Sequence, residues 1–324
     1  MRKILIAVLC GFACAVSAQD SAKLRVKVFP GAQNLPLYAG VAKGFFTKRG
    51  LAVELLFTQN SVELRDNLAN GDIEVAHSAV DNAVAMVELA GKDAVIVMGG
   101  DSSMNELMVQ GYVTSVADLR GRILVVDAPN TAYALQAKKI LLNAGLKAGD
   151  YVVKPAGGGV QRARAMSENR DNAATILYPP FSFAMLKDGM KSLGRAIDLL
   201  GPYQATGAFV MRPWARANAQ TLEKYLAGYI EATRWARDPA NRDECLRLLT
   251  ERLKLEPDVA ARTYDALMDP AFGLAPDSRF NAEGFRNVLA LRAEIEGQWG
   301  GKPPAPDKYL ELGYYERALQ RAGK

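Results

Sequence analysis

Histidine is almost absent from this chain: among 324 residues there is only His77. Cysteine is nearly as scarce, with Cys10, Cys14 and Cys245. So few imidazoles and thiols leave a zinc site of the usual ligand types without a ligand set. A Ser-His-Asp triad would have to use His77, and no Gly-x-Ser-x-Gly turn accompanies it. The 40 basic and 35 acidic residues are scattered, with no basic stripe interleaved with aromatics. That excludes the footprint of a nucleic-acid or membrane-surface binder. A phosphate-binding Gly-x-x-x-x-Gly-Lys-Ser/Thr loop is missing as well. The longest apolar run, Ile4 to Val16, has 13 residues and is too short to span a bilayer.

That run has another reading. Met1, Arg2 and Lys3 precede it, and Val16-Ser17-Ala18 closes it before polar Gln19. A charged start, a short apolar stretch and a small-residue end make an export signal, residues 1–18, with cleavage expected after Ala18. Ala13-Cys14 only half fits a lipid-anchoring signal, because Gly11 and Phe12 precede it. Cleavage leaves 306 residues, one thiol and a net charge of about +3. No internal disulfide can then form, and stability has to come from a large core. The length suggests two domains.

Alternating and helical periodicities take turns along the chain. Strands are expected at Leu24–Phe29, Ala52–Phe57, Ile73–Ala76, Ala94–Met98 and Glu106–Gln110. Helices are expected from Leu35 to about Lys48, from Ser61 as N-cap to Gly71, and over Val80–Ala90. A second series comes after these, with strands at Ile123–Val126, Tyr151–Val153 and Ala173–Leu177. Helices fill the intervals, and the strand Ala205–Met211 returns the chain to the first unit. From Ala215 onward the pattern is helical. Strand–helix alternation of this kind means βαβ units and mostly parallel sheets.

Particular residues narrow this further. Ala42-Lys43-Gly44-Phe45-Phe46, Arg49-Gly50-Leu51, Val53-Glu54, Asn70-Gly71-Asp72-Ile73 and Asp118-Leu119-Arg120-Gly121 resemble the nitrate/sulfonate/taurine and thiamine-pyrimidine-precursor binding family. The resemblance covers most of the mature chain and is densest in its first ninety residues. It implies an α/β class with the type II periplasmic-binding-protein fold: two α/β lobes joined by a hinge, with extra C-terminal helices. Lobe I would comprise residues 19–108 and 209–324, and lobe II residues 109–208. It also implies a periplasmic solute receptor, a monomer without cofactor, that delivers a small molecule to an ABC importer permease. The Gly-Phe-Phe motif itself reads as structural: Gly44 lets its helix approach the sheet, and Phe45 and Phe46 pack the helix end.

Ligands of open α/β sheets sit outside the carboxyl ends of the strands. From lobe I this nominates Gln33, Asn34, Gln59, Asn60, Ser61, His77, Ser78, Asp81 and Asp101, with Asn82 beside them. Lobe II contributes Asp127, Asn130, Thr131, Gly158 and Tyr178. Helices that start at such loops aim N–H groups at the cleft. Gly157-Gly158-Gly159 reads as a tight turn bringing backbone to the ligand, and Tyr178 as a stacking surface. Each has a plainer alternative: Asn130 as a helix cap, the aspartates as turn formers, His77 as a packed structural residue. Arg162 and Arg164, after the glycine triplet, read as an exposed helix face, with a role as carboxylate or sulfonate partners as the alternative. With no Arg or Lys on the strand-end loops of lobe I, a nitrogen heterocycle is favoured over a sulfonate or other small anion. Closure would occur by bending near Glu106–Gln110 and Ala205–Met211. Two other classes are open: a sensory module using the same closed faces, and an enzyme. The thiamine-pyrimidine synthases, which resemble these receptors, consume a histidine of their own but carry a cysteine-rich motif that is missing here.

Overall fold

The computed structural model describes residues 21–323, so the export signal read over residues 1–18 lies outside the described residues. In chain order the strands are β1 (Ala22–Val28), β2 (Leu51–Phe57), β3 (Val75–Ala79), β4 (Ala94–Gly99) and β5 (Glu106–Val109). They continue with β6 (Ile123–Val126), β7 (Val152–Pro155), β8 (Asn172–Leu177), β9 (Lys191–Arg195) and β10 (Thr206–Met211). Two five-stranded sheets result, ordered β2-β1-β3-β10-β4 and β7-β6-β8-β5-β9. β1, β2 and β3 are parallel, and β10 runs antiparallel between β3 and β4. The second sheet repeats the device, with β5 antiparallel to β8 and β9. The second sheet is thus built from one continuous segment, β5 to β9, and the first from β1 to β4 together with the returning strand β10.

Apolar side chains on both faces explain the layering, since a parallel sheet is buried on each side. Every residue of β4 is buried, with Val95 and Val97 in the core on one face and Ala94 and Ile96 in the core on the other. On one face of the first sheet lie helices Leu35–Ala42, Ala219–Arg237 and Gly313–Arg321, joined through Phe46, Tyr225 and Tyr315. Helices Ser61–Asn70, Asp81–Ala90 and Ala282–Glu296 cover the other. The second sheet is covered by Ala132–Asn143 on one side and by Gly159–Glu168 and Phe181–Lys187 on the other.

Several local expectations need correction. The first helix stops at Ala42 rather than near Lys48. A Cβ on Gly44 would meet nothing within 4 Å, and its φ is 73°. Glycine is required there by the left-handed turn and not by close packing. Close packing falls on Gly40 and Gly228, where a Cβ would lie 2.4 and 2.8 Å from the Phe46 ring. β9 and the short helix Ala196–Leu200 were not anticipated: Ser192, Leu193, Gly194 and Arg195 are only half-buried, which leaves an edge strand with a weak pattern. The chain passes between the sheets at residues 100–105 and 201–205. The divisions expected at 108/109 and 208/209 fall within β5 and β10, both interior strands of their sheets.

Helix Ala282–Glu296 abuts the returning passage. A Cβ on Gly284 would sit 2.5 Å from the backbone of Tyr203 and Gln204. Helix propensity favours alanine by about 1 kcal/mol, but overpacking against backbone costs about 1–3 kcal/mol. The clash should win, so Gly284→Ala is expected to lower the urea midpoint. A raised midpoint would show that the passage yields to the helix.

Candidate functional site: a cavity between the two sheets

Between the two sheets lies a small cavity of about 30 Å3, open at its mouth. The first unit contributes Phe29, Gln33, Ser61, His77, Ser78, Asn82 and Thr206. Asp127, Thr131, Tyr133, Gly158, Arg162 and Tyr178 come from the second. All stand at or just beyond the strand ends that face across the cleft. Helices Ser61–Asn70, Asp81–Ala90, Ala132–Asn143 and Gly159–Glu168 start around it.

Nine nominated residues line this space: Gln33, Ser61, His77, Ser78, Asn82, Asp127, Thr131, Gly158 and Tyr178. His77 and Ser78 belong to β3 itself, which runs to Ala79 rather than ending at Ala76. Ser61 is not the N-cap of its helix. Asn60 takes that role by accepting from the Glu63 N–H at 2.9 Å. The Ser61 hydroxyl is thereby free to donate to Asp127 across the cleft, at 2.5 Å. Gly158 adds a second tie, its N–H donating to the Gln59 carbonyl at 2.7 Å. The glycine turn is demanded by packing: a Cβ at Gly158 would meet the Phe29 ring at 2.9 Å, and one at Gly159 the Tyr178 hydroxyl at 2.9 Å. Thr131 turns its hydroxyl to the Ala128 carbonyl.

Six nominated residues do not line the cavity. The Asn34 amide donates to the carbonyls of Phe29 and Gly31 and shapes the loop after β1. Gln59 is exposed and Asn60 caps its helix. Asn130 offers its carbonyl to Arg292 at 2.9 Å, and the cap position beside it belongs to Thr131. Asp81 is fully engaged by Arg292, whose guanidinium donates to both of its oxygens, at 2.8 Å from Nη2 to Oδ2. Asp101 accepts from the Ser103 N–H and the Thr206 hydroxyl, and borders a smaller space beside the main one.

Arg162 overturns the exposed-face reading. It is 2 % exposed and lines the cavity, while Arg164 stays exposed and pairs with Glu168. Arg162 donates to the carbonyls of Ile176 and Gly157, at 3.3 and 2.9 Å. Phe29, Tyr133 and Thr206 were also missed. Glycines at 157–159 leave room for a long side chain one turn later to fold back into the cleft, which is the signal that pointed to Arg162.

Burial pushes the His77 imidazole down to about 3 and lifts the Asp101 carboxyl to about 6. His77 stacks on Tyr229 with ring centroids 4.5 Å apart. It is a neutral hydrogen-bonding group throughout the physiological range. Among the described residues, no group of three or more His, Cys, Asp or Glu side chains is placed to hold a metal ion.

A family model described as "NMT1/THI5 like" matches residues 32–241, about two thirds of the chain. The chain belongs to the NMT1/THI5-like family. No curated protein matches it significantly. Solved structures of similar shape include the ligand-binding component of an ABC-type import system from Staphylococcus aureus, with zinc bound. It is 16 % identical, with 92 % of this chain and 99 % of that one covered at a TM-score of 0.75. The alkanesulfonate-binding protein SsuA from Xanthomonas axonopodis pv. citri, bound to MOPS, is 17 % identical, with coverages of 92 % and 97 % and a TM-score of 0.70. The desulfurization enzyme DSZB also aligns, at 14 % identity, coverages of 92 % and 99 % and a TM-score of 0.62. These likenesses show the type II periplasmic-binding fold expected for the NMT1/THI5-like chain.

The buried groups of this family member make its stability depend on pH and on one ion pair. His77 protonates readily only in the unfolded chain, so its contribution to stability falls as pH drops from about 6.5 toward 3, by up to about 1.4 kcal/mol per unit. Asp101 acts oppositely, with stability falling as pH rises from 3.8 to about 6. Because His77 is the only histidine in the sequence, its NMR signals report directly. They should stay unshifted from pH 8 to pH 5, and a midpoint near 6.5 would refute the buried neutral assignment. Asp81→Asn strips the partner from the fully buried Arg292, and chemical denaturation should show a loss of about 3–5 kcal/mol.

Proposed function

We propose that this chain is the solute-binding component of an ABC importer and works in the periplasm as a monomer. The observation that carries this reading is a cavity walled by both units, with polar groups set among aromatic walls, and bridged by Ser61–Asp127 and Gly158–Gln59. A molecule held there touches both sides at once, so it stabilises the closed form over the open one. The passages at residues 100–105 and 201–205 serve as the hinge, displaced by a few residues from the positions read in the sequence. The export signal read over residues 1–18 supports the compartment, and the matched import-system and sulfonate-binding structures support the partner, a membrane permease.

The solute is a small polar organic molecule. Phe29, Tyr133 and Tyr178 offer flat apolar walls, which supports the nitrogen heterocycle favoured from sequence. The buried Arg162 guanidinium favours an anionic group instead, and the sequence pattern had placed that residue on an exposed face. An enzyme is the less supported reading despite the DSZB likeness. His77 sits inside a strand, stacked on Tyr229, where it lacks the freedom a reacting side chain needs.

Native mass spectrometry of protein purified without refolding, followed by release of the bound molecule, tests the proposal. The expected result is one small solute per chain and, in X-ray scattering, a smaller radius of gyration when it is restored. Turnover of that solute by the purified protein, or no compaction on rebinding, would overturn the receptor reading.

A further inference from the structure

Opposite charges line the cavity without pairing with each other. Asp127 is 8 % exposed. One of its oxygens accepts from Ser61, while the other, Oδ1, is buried and has no hydrogen-bond partner. Gln33 Oε1 and His77 Nε2, which border the same space, are also buried and unpartnered. Arg162 makes its hydrogen bonds to two carbonyl oxygens, and among the described residues no carboxylate lies within ion-pair distance of it. Buried polar atoms are almost always satisfied, and removing the partner of a buried charge costs several kcal/mol. Such a set persists where a bound molecule completes it.

Resting on the receptor reading, we infer that the solute carries both an N–H donor and an anionic oxygen group. The donor meets Asp127, a carboxylate that can only accept. The anionic group meets Arg162, whose planar fork suits carboxylate, sulfonate or phosphate oxygens. Nitrate or a plain alkanesulfonate satisfies Arg162 but sets a second anion beside Asp127. A neutral heterocycle satisfies Asp127 but leaves Arg162 without a counter-charge. One molecule bearing both groups compensates both residues. Because Asp127 also holds Ser61 of the facing unit, recognition of the donor is tied directly to closure.

Two matched sets of probes test this, by thermal shift and then calorimetry: 2-aminoethanesulfonate, ethanesulfonate and ethylamine, and 4-aminobenzenesulfonate, benzenesulfonate and aniline. In at least one set the bifunctional member should bind at least about tenfold more tightly than either parent. Asp127→Asn should abolish that advantage, so that within the variant the bifunctional member binds no more tightly than its parent sulfonate. A parent sulfonate or amine that binds as well as its bifunctional relative overturns the inference and leaves the receptor reading standing. An advantage that survives in Asp127→Asn does the same. Silence from all six counts against the receptor reading and against this inference with it.

Discussion

Both passages between the sheets are tied to one buried carboxylate. Asp101, in the first passage, accepts from Ser103 within its own segment and from Thr206 at the start of β10. Its carbonyl accepts from the Ala205 N–H at 3.1 Å, in the second passage. Outgoing and returning chain are therefore pinned side by side at the level of the cavity. Every relative displacement of the two units has to be made around this point. The same constraint brings Thr206 to the cavity wall and places Gln33, Tyr133 and Tyr178 around the carboxylate. Burial there keeps Asp101 protonated to a higher pH than an open carboxyl.

The C-terminal helices do more than seal the first sheet. Helix Ala282–Glu296 packs on the passage through Gly284 and clamps Asp81 through Arg292. It also faces helix Ala132–Asn143 of the other unit. Lys138 and Lys139 of that helix pair with Glu296 and Glu294, at 2.9 and 2.5 Å. Surface pairs of this kind contribute little individually. Arg292 is different, because it holds a carboxylate of one unit and the Asn130 carbonyl of the other while fully buried. The two units are thus joined by protein contacts outside the cavity as well as by contacts within it.

Strand ends were legible because alternation stops where a strand stops, and the fold rule then nominates the loop residues just beyond it. That reasoning reached nine cavity residues. It failed where a side chain had two uses for the same chemistry. Asp81 and Asn34 are polar groups at strand ends that serve internal partners, and nothing in a linear pattern separates such a group from a ligand contact. Asp81 is claimed by a residue 211 positions away. Arg162 failed in the other direction: four residues after a glycine turn it looks like solvated helix surface, and only the depth of the turn within the cleft buries it.

The sequence by itself determined the alternation of strands and helices, the family resemblance, and the scarcity of histidine and cysteine. These depend on periodicity and composition, which are local properties of the chain. Tertiary structure alone decided which strand-end groups face a common space, which charges find partners, and where the chain crosses between sheets. Those outcomes depend on contacts between residues far apart in sequence. Folding leaves Arg162 and Asp127 beside one cavity without pairing them, and no single stretch of sequence records that.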